Sequence, residues 1–257
     1  MSHAKPFRPC AIIPVYNHAD AIAAVVAGVR QYDLPIILVD DGSEPKCAEI
    51  LDQLAAGKEQ IELLRLERNS GKGCAVLAGA RAALFGGYTH ALQIDADGQH
   101  DPGAIPAALA QARLYPTALI AGVPIFDANI PNARLYGRWF THIFVWLNTW
   151  SFALRDALCG FRVYPLAETV ALANRHRIGQ RMDFDIDIGV RLMWDNVPVK
   201  PVSVAVSYPS DGVSHFDLLR DNLRISRTHA RLILGMLVRI PLLLTQRLSN
   251  LSNLFRH

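Results

Sequence analysis

From Cys10 to Val123 short apolar runs alternate with helical stretches, and three of the runs halt at polar clusters. Cys10 to Val15 halts at Tyr16-Asn17. Pro35 to Val39 halts at Asp40-Asp41-Gly42-Ser43, and the run ending at Ile94 halts at Asp95-Ala96-Asp97-Gly98. Ile61 to Leu66 and Thr117 to Val123 are further runs of the same kind. Between them, Asp20 to Arg30 carries Ile22, Val25, Val26 and Val29 at helical spacing. Lys46 to Ala56 carries Ile50, Leu51 and Leu54. An Ala-rich helix follows Asn69-Ser70-Gly71-Lys72-Gly73, and Pro102 opens another, since a first-turn proline loses no helical bond. Strand and helix in turn, with short connections, predict an α/β fold whose mostly parallel sheet has helices on both faces. Ligands of such sheets sit outside the carboxyl ends of the strands, so the three clusters are expected to converge on one crevice.

The bulk numbers exclude several classes. With 51% hydrophobic and 19% charged residues, the chain is globular rather than disordered. A net charge of +3 is no footprint for nucleic acid. Cys10, Cys47, Cys74 and Cys159 are far apart and form no Cys-x-x-Cys pair, so neither a disulfide framework nor a zinc site is expected. Isolated thiols suit a reducing cytoplasm. The first residues lack the apolar stretch of a secretory signal. No uninterrupted apolar run reaches the roughly 20 residues needed to span a bilayer.

Asp95 and Asp97 are two residues apart at a strand mouth, where both carboxylates can reach one hard divalent cation. Gln99 continues the spacing with a neutral oxygen. The plainer alternative is an acidic turn, with Asp101 capping the helix that starts near Pro102. Asp40, Asp41 and Gly42 either accept hydrogen bonds from a nucleoside or make an ordinary turn. Gly71-Lys72-Gly73 either offers amide N–H groups and a cation to phosphate or is a surface loop. It is not a P-loop, because the longer glycine spacing is missing.

Taken together, Ile13-Pro14-Val15-Tyr16-Asn17, Val39-Asp40-Asp41-Gly42-Ser43, Asn69-Ser70-Gly71-Lys72-Gly73 and Asp95-Ala96-Asp97-Gly98-Gln99 resemble the family 2 glycosyltransferases of GT-A, Rossmann-like fold. Asp156-Ala157-Leu158-Cys159-Gly160-Phe161-Arg162 and Phe184-Asp185-Ile186-Asp187-Ile188 bring the resemblance close to the dolichyl-phosphate sugar synthase branch. The resemblance implies an inverting transfer from a nucleoside diphosphate sugar. It assigns Pro14, Tyr16, Asn17, Asp40, Asp41, Gly42, Lys72, Asp95 and Ala96 to the donor. Mg²⁺ or Mn²⁺ would be held by Asp95, Asp97 and Gln99. Asp187 is the first choice as general base and Asp185 the second. With a helix over Met182 to Asp195, Asp187 alternatively forms a surface ion pair with Arg191. His18, Cys159, Ser210 and Asp211 depart from the family pattern, and the last two stand where an arginine would suit a phosphate acceptor.

For a lipid or lipid-like acceptor, Arg134, Arg138, Arg162 and His215 are the candidate contacts, with Trp139, Trp146 and Trp150 covering an apolar tail. Arg220, Arg224, Arg227 and Arg231 are spaced four, three and four apart, a basic stripe on a helix. Leu232 to Leu244 is nearly all apolar. The expected organisation is a catalytic domain over 1–216 and C-terminal amphipathic helices over 217–257, interrupted at Pro241. These helices are expected to lie on an anionic membrane surface at the cytoplasmic face. Packing on the domain or on a second copy in a homodimer is the alternative. A degenerate GT-A binding protein and an Asp-x-Asp phosphatase remain as rival readings.

Overall fold

A computed structural model describes residues 6–57, 60–126, 132–207 and 218–254, with the side chains of 132–137, 218 and 241–254 outside that description. In order, the chain forms β1 (Pro9–Val15), α1 (Ile22–Arg30), β2 (Ile36–Asp40), α2 (Pro45–Ala55), β3 (Ile61–Arg65), α3 (Lys72–Phe85), β4 (His90–Gln93), α4 (Ile105–Leu114) and β5 (Leu119–Phe126). Then come α5 (Asn132–Thr149), β6 (Arg162–Pro165), α6 (Leu166–Arg175), α7 (Phe184–Trp194), β7 (Val199–Val206) and α8 (Leu218–Leu254). Among the described residues, seven strands form one sheet in the order β3-β2-β1-β4-β6-β5-β7. Six run one way, and β6 runs antiparallel between β4 and β5.

The apolar runs become strands because both faces of the sheet are covered. β2 is buried at every residue, as is β1 from Cys10 to Val15. α3 lies close against them because its buried face is made of Gly73, Ala75, Gly79, Ala80 and Ala83. A Cβ on Gly79 would stand 2.7 Å from the Ile12 side chain. Asp101 caps the 3-10 turn at Pro102–Ala104, its carboxylate accepting from Gly103 N at 2.8 Å, as the capping alternative anticipated.

Three elements depart from the sequence reading. β6 and α6 were not expected from the sequence, because an arginine and a proline in a four-residue strand carry no strand signal. α8 continues past Pro241 as one helix. An interior proline removes one helical bond and kinks the axis, which need not end a long helix held elsewhere by packing. α8 is also docked: Leu232 and Met236 are buried, and Leu232 belongs to the core cluster containing Leu192 and Val145. Its arginines are not a free stripe, since Arg224 pairs with Asp221 at 2.8 Å and Arg231 with Asp187 at 2.6 Å. Among the described residues no helix is long and apolar enough to cross a membrane.

Candidate active site

The clusters at the carboxyl ends of β1, β2 and β4 are joined by a chain of contacts. Asn17, after β1, adopts a left-handed φ of 56°. Its N–H donates to Ser43 Oγ at 3.1 Å, and its Oδ1 accepts from Glu44 N at 2.8 Å. Asp41 N donates to Val15 O. The Asp41 carboxylate accepts from Ser70 N and Gly71 N at 2.7 and 2.8 Å. Lys72 then reaches Asp95 Oδ2 at 2.9 Å and Asp185 Oδ2 at 2.8 Å. Gly42 permits the approach: its φ is 72°, and a Cβ there would meet the Arg68 carbonyl carbon at 2.5 Å.

Several groups expected to face a ligand are engaged by the protein. Asp40 is buried and accepts from Ser43 N and Arg65 Nε at 2.8 and 2.9 Å. Asp41, also buried, holds the 69–73 turn. Gly71 N donates to Asp41, and Gly73 N and Cys74 N donate to Gln180 O at 2.8 and 3.2 Å. The start of α3 therefore does not offer its N–H groups as an anion cradle. Only the Lys72 ammonium reaches the acidic corner. Pro14 is buried in β1, while Tyr16 is half-buried just beyond it.

Asp95 and Asp97 stand at the mouth of β4, with Ala96 buried between them. Gly160 makes room for Asp95, since a Cβ there would lie 2.0 Å from Asp95 Oδ2. Burial pushes the Asp95 carboxyl up, but Lys72 outweighs it and holds Asp95 below the usual carboxylate range. Asp97 sits above that range, because of burial first and the neighbouring Asp95 charge second. One Asp97 oxygen accepts Gln99 N at 3.1 Å, and the other takes no hydrogen bond among the described residues. Asp95, Asp97, Gln99 and His100 line one crevice with Phe126 and Arg138. Among the described residues no group of three His, Cys, Asp or Glu side chains forms a complete metal cluster. Two carboxylates and an amide are nonetheless hard oxygen donors that fit Mg²⁺ or Mn²⁺ when phosphate oxygens and water complete the shell.

The two acids of α7 have different surroundings. Asp185 is 3% exposed and accepts from Lys72 and, at 3.3 Å, from Gln93 Nε2. Gln93 also donates to Asp95 Oδ1 at 3.4 Å and accepts from Tyr164 at 3.1 Å. Asp187, 0% exposed, accepts from Gly179 N at 2.8 Å, Arg191 at 2.7 Å and Arg231 at 2.6 Å. A helical offset of two residues turns them to opposite sides, so Asp185 faces the acidic corner while Asp187 faces Gly179 and α8. The Arg191 pair is real, but it is a buried one.

Arg162 is corrected as well. It is fully buried and donates to the carbonyls of Cys159, Asp185 and Ala157, which leaves it no access to an acceptor. Arg138 does line the crevice, held by a bidentate pair with Asp156 and stacked over Phe126 at 5.1 Å. Arg134 lies in α5 with its side chain outside the described residues, and His215, Ser210 and Asp211 lie outside them altogether. Trp139, Phe140, Leu147 and Phe152 form an exposed apolar face on and just after α5. Trp146 instead packs beneath, donating to Leu154 O at 3.2 Å.

The sequence reading missed Gln93, Asp156 and His100. Gln93 was legible as an amide inside a buried strand, in step with Asp95. Asp156 stood in a quoted motif. His100 carried no signal; its Nδ1 is buried without a partner among the described residues, and its Nε2 lies 3.6 Å from Cys159 Sγ. Burial pushes the Cys159 thiol up to about 12, so it is inert.

The family model "Glycosyl transferase family 2" matches residues 10–173. An undecaprenyl-phosphate mannosyltransferase of Micrococcus luteus is 28% identical over 199 residues, covering 72% of this chain and 77% of its own. A polyprenol monophosphomannose synthase of Mycolicibacterium smegmatis is 34% identical over 98 residues, 37% of each chain. Among solved structures, glucosyl-3-phosphoglycerate synthase of Mycobacterium tuberculosis, in complex with Mn²⁺, UDP and glucosyl-3-phosphoglycerate, superposes with a TM-score of 0.61 at 15% identity. That match covers 90% of this chain and 80% of the other. TarS of S. aureus in complex with UDP-GlcNAc superposes at 0.57 with 14% identity, covering 89% and 67%. These structural likenesses bear on the fold, which is GT-A. With the motif quartet assembled along one edge of that fold, the chain belongs to glycosyl transferase family 2, in its dolichyl-phosphate sugar synthase-like branch, and is a glycosyltransferase.

Proposed function

We propose that the chain transfers a sugar, with inversion, from a nucleoside diphosphate sugar to a lipid or lipid-like acceptor at a membrane surface, using Mg²⁺ or Mn²⁺. The observation that carries this reading is the Asp95–Asp97 pair, with one Asp97 oxygen unengaged among the described residues, facing a crevice that Arg138 also lines, while Lys72 pairs with Asp95 beside it. The nucleoside belongs at the Tyr16 and Asn17 corner, which Asp40 and Asp41 support through Ser43 and the 69–71 turn. Asp95, Asp97 and Gln99 would hold the cation, whose chemistry there is to neutralise charge developing on the departing diphosphate. Lys72 adds a second fixed cation beside Asp95; burial opposes its charge, but Asp185 and Asp95 outweigh that and raise its pKa. Charge placed in advance where it develops is the largest usual contribution to such a transfer.

An acceptor oxygen enters opposite the diphosphate, beneath Arg138 and the α5 face. Of the two α7 acids, Asp185 contacts Lys72 and Gln93 at the acidic corner, while Asp187 is held by Gly179, Arg191 and Arg231 away from it. An anionic phosphate acceptor needs no base, and then Asp185 serves only to hold Lys72. The names of the mannosyltransferase and synthase relatives support such an acceptor. Leu234, Leu237 and Val238 of α8 and Trp139, Phe140 and Phe152 are the exposed apolar groups for a membrane face. The catalytic domain is taken as 1–216 and the amphipathic segment as 217–257.

Thermal shifts with a panel of nucleotide sugars, with and without MnCl₂, test the donor half. One nucleotide is expected to raise the melting temperature only when Mn²⁺ is present. Asp97→Ala is expected to abolish that metal-dependent part and lower transfer about 100-fold or more. Full transfer and unchanged metal dependence in Asp97→Ala would sink the metal assignment.

A further inference from the structure

The residues that hold the donor corner in place are themselves held by α8. Lys72 is carried by the 69–74 turn. One side of this turn is fastened by Asp41, and the other by the loop between α6 and α7, where Gln180 O accepts Gly73 N and Cys74 N. Arg181 of the same loop donates to Asn69 Oδ1 at 2.8 Å. Contact is tight enough that a Cβ on Gly71 would fall 2.4 Å from Gln180 O, and one on Gly73 2.4 Å from Gly179 O. The turn therefore has no room to move independently of residues 179–181.

The loop, in turn, rests on two carboxylates of the α7 start. Gly179 N donates to Asp187 Oδ2, and Arg181 N donates to Asp183 Oδ1 at 3.2 Å. Each carboxylate takes a further bond from α8: Arg231 to the same Oδ2 of Asp187 at 2.6 Å, and Thr228 to Asp183 Oδ2 at 2.8 Å. Asp187 and Asp183 are 0% and 8% exposed, so water cannot easily replace α8 as their partner.

We infer that α8 is a positioning element of the donor site. Arg231 on Asp187 and Thr228 on Asp183 set the 179–181 loop, and through it the turn that aims Lys72 at Asp95. Asp187 is then a positioning residue rather than a base. The inference rests on the donor site proposed above. It ties whatever α8 rests on to the affinity for the donor, because a coupling between two sites acts in both directions.

The test uses the full chain with two independent readouts. Amide hydrogen exchange in Arg231→Ala is expected to speed up at Gly179, Gly73 and Cys74 while the later turns of α3 keep their protection. Calorimetry with MnCl₂ and UDP, and in parallel GDP, is expected to show affinity weakened about 5- to 100-fold, the ordinary range of coupling between sites. Arg231→Lys should restore most of it. Arg239→Ala, which removes an α8 contact to the Trp194 carbonyl away from the loop, should leave affinity unchanged. Thr228→Val gives the same direction with a smaller loss, and replaces Arg231→Ala should that variant not fold. Wild-type exchange at Gly73 and Cys74 in these variants overturns the inference. Absence of any nucleotide binding by the wild type overturns the donor reading instead, and the exchange experiment still decides the relay.

Discussion

Replacing Arg162 with methionine separates an arginine that builds the site from one that binds acceptor. The guanidinium donates to the carbonyls of Cys159, Asp185 and Ala157 at 2.9, 2.6 and 2.8 Å. Methionine fills much of the same space and donates nothing. The Asp185 carbonyl belongs to the first turn of α7 and keeps its helical bond. Those of Ala157 and Cys159 lie in the segment before β6 and lose their donor. An unsatisfied buried carbonyl costs about 1–3 kcal/mol, so the pair costs about 2–6 kcal/mol. Relieving the core of a desolvated guanidinium returns part of this, leaving a net loss of about 3 kcal/mol. For a domain of this size each kcal/mol moves the melting temperature by about 2–4 °C, so a fall of about 6–12 °C is expected. Differential scanning calorimetry without ligand measures it. An unchanged melting temperature together with a raised acceptor KM would refute the reasoning, since only a ligand-facing arginine behaves that way.

Further outcomes follow from other contacts. Gly160→Ala puts a methyl group 2.0 Å from Asp95 Oδ2 and must displace it. Turnover is expected to fall about 100-fold, as for a 1 Å misplacement, with weaker Mn²⁺ binding in calorimetry and little loss of stability. Asp156 is held well below the usual carboxylate range: burial pushes it up, but His142 and Arg138 outweigh that. Its stabilising contribution is complete above the unfolded value of 3.8 and fades as pH falls through the lower folded value. The stability gap between wild type and Asp156→Asn in urea titrations should therefore narrow below about pH 4; a gap that widens on acidification contradicts the pairing. Replacing the exposed Leu234, Leu237 and Val238 with glutamine should reduce flotation on anionic vesicles while preserving the melting temperature. Equal flotation removes α8 as a membrane contact. Truncating α8 would be a poorer test, because it strips Arg231 from Asp187.

Much of the donor edge was legible in order along the chain. Strands buried on both faces must be continuously apolar, so β1 and β2 declare themselves and their polar stops mark the carboxyl edge. Asp95 and Asp97 were legible as acids just past a strand end, although the turn that follows β4, not the strand period, sets their directions. β6 was not legible, because its four residues are a strand only by virtue of the β4 and β5 edges that receive them. Arg162 looked like a ligand-binding cation because an arginine in sequence carries no sign of its own burial. The carbonyls that neutralise its cost come from Ala157, Cys159 and Asp185, and the last is brought in from a distant helix.

The sequence alone determined the class of fold and the edge on which the polar clusters gather, including the Asp95–Asp97 corner proposed to hold the metal. These depend on local periodicity and on residues close together in the chain. Tertiary structure alone decided which charges remain free to act. Asp40, Asp41 and Asp187 are as acidic in sequence as Asp97. Only the arrival of Arg65, the 69–71 turn and Arg231 from elsewhere in the chain turns them from candidate ligands into supports. A charge is available to a substrate when nothing in the fold has claimed it, and that is settled by long-range contacts that no local pattern records.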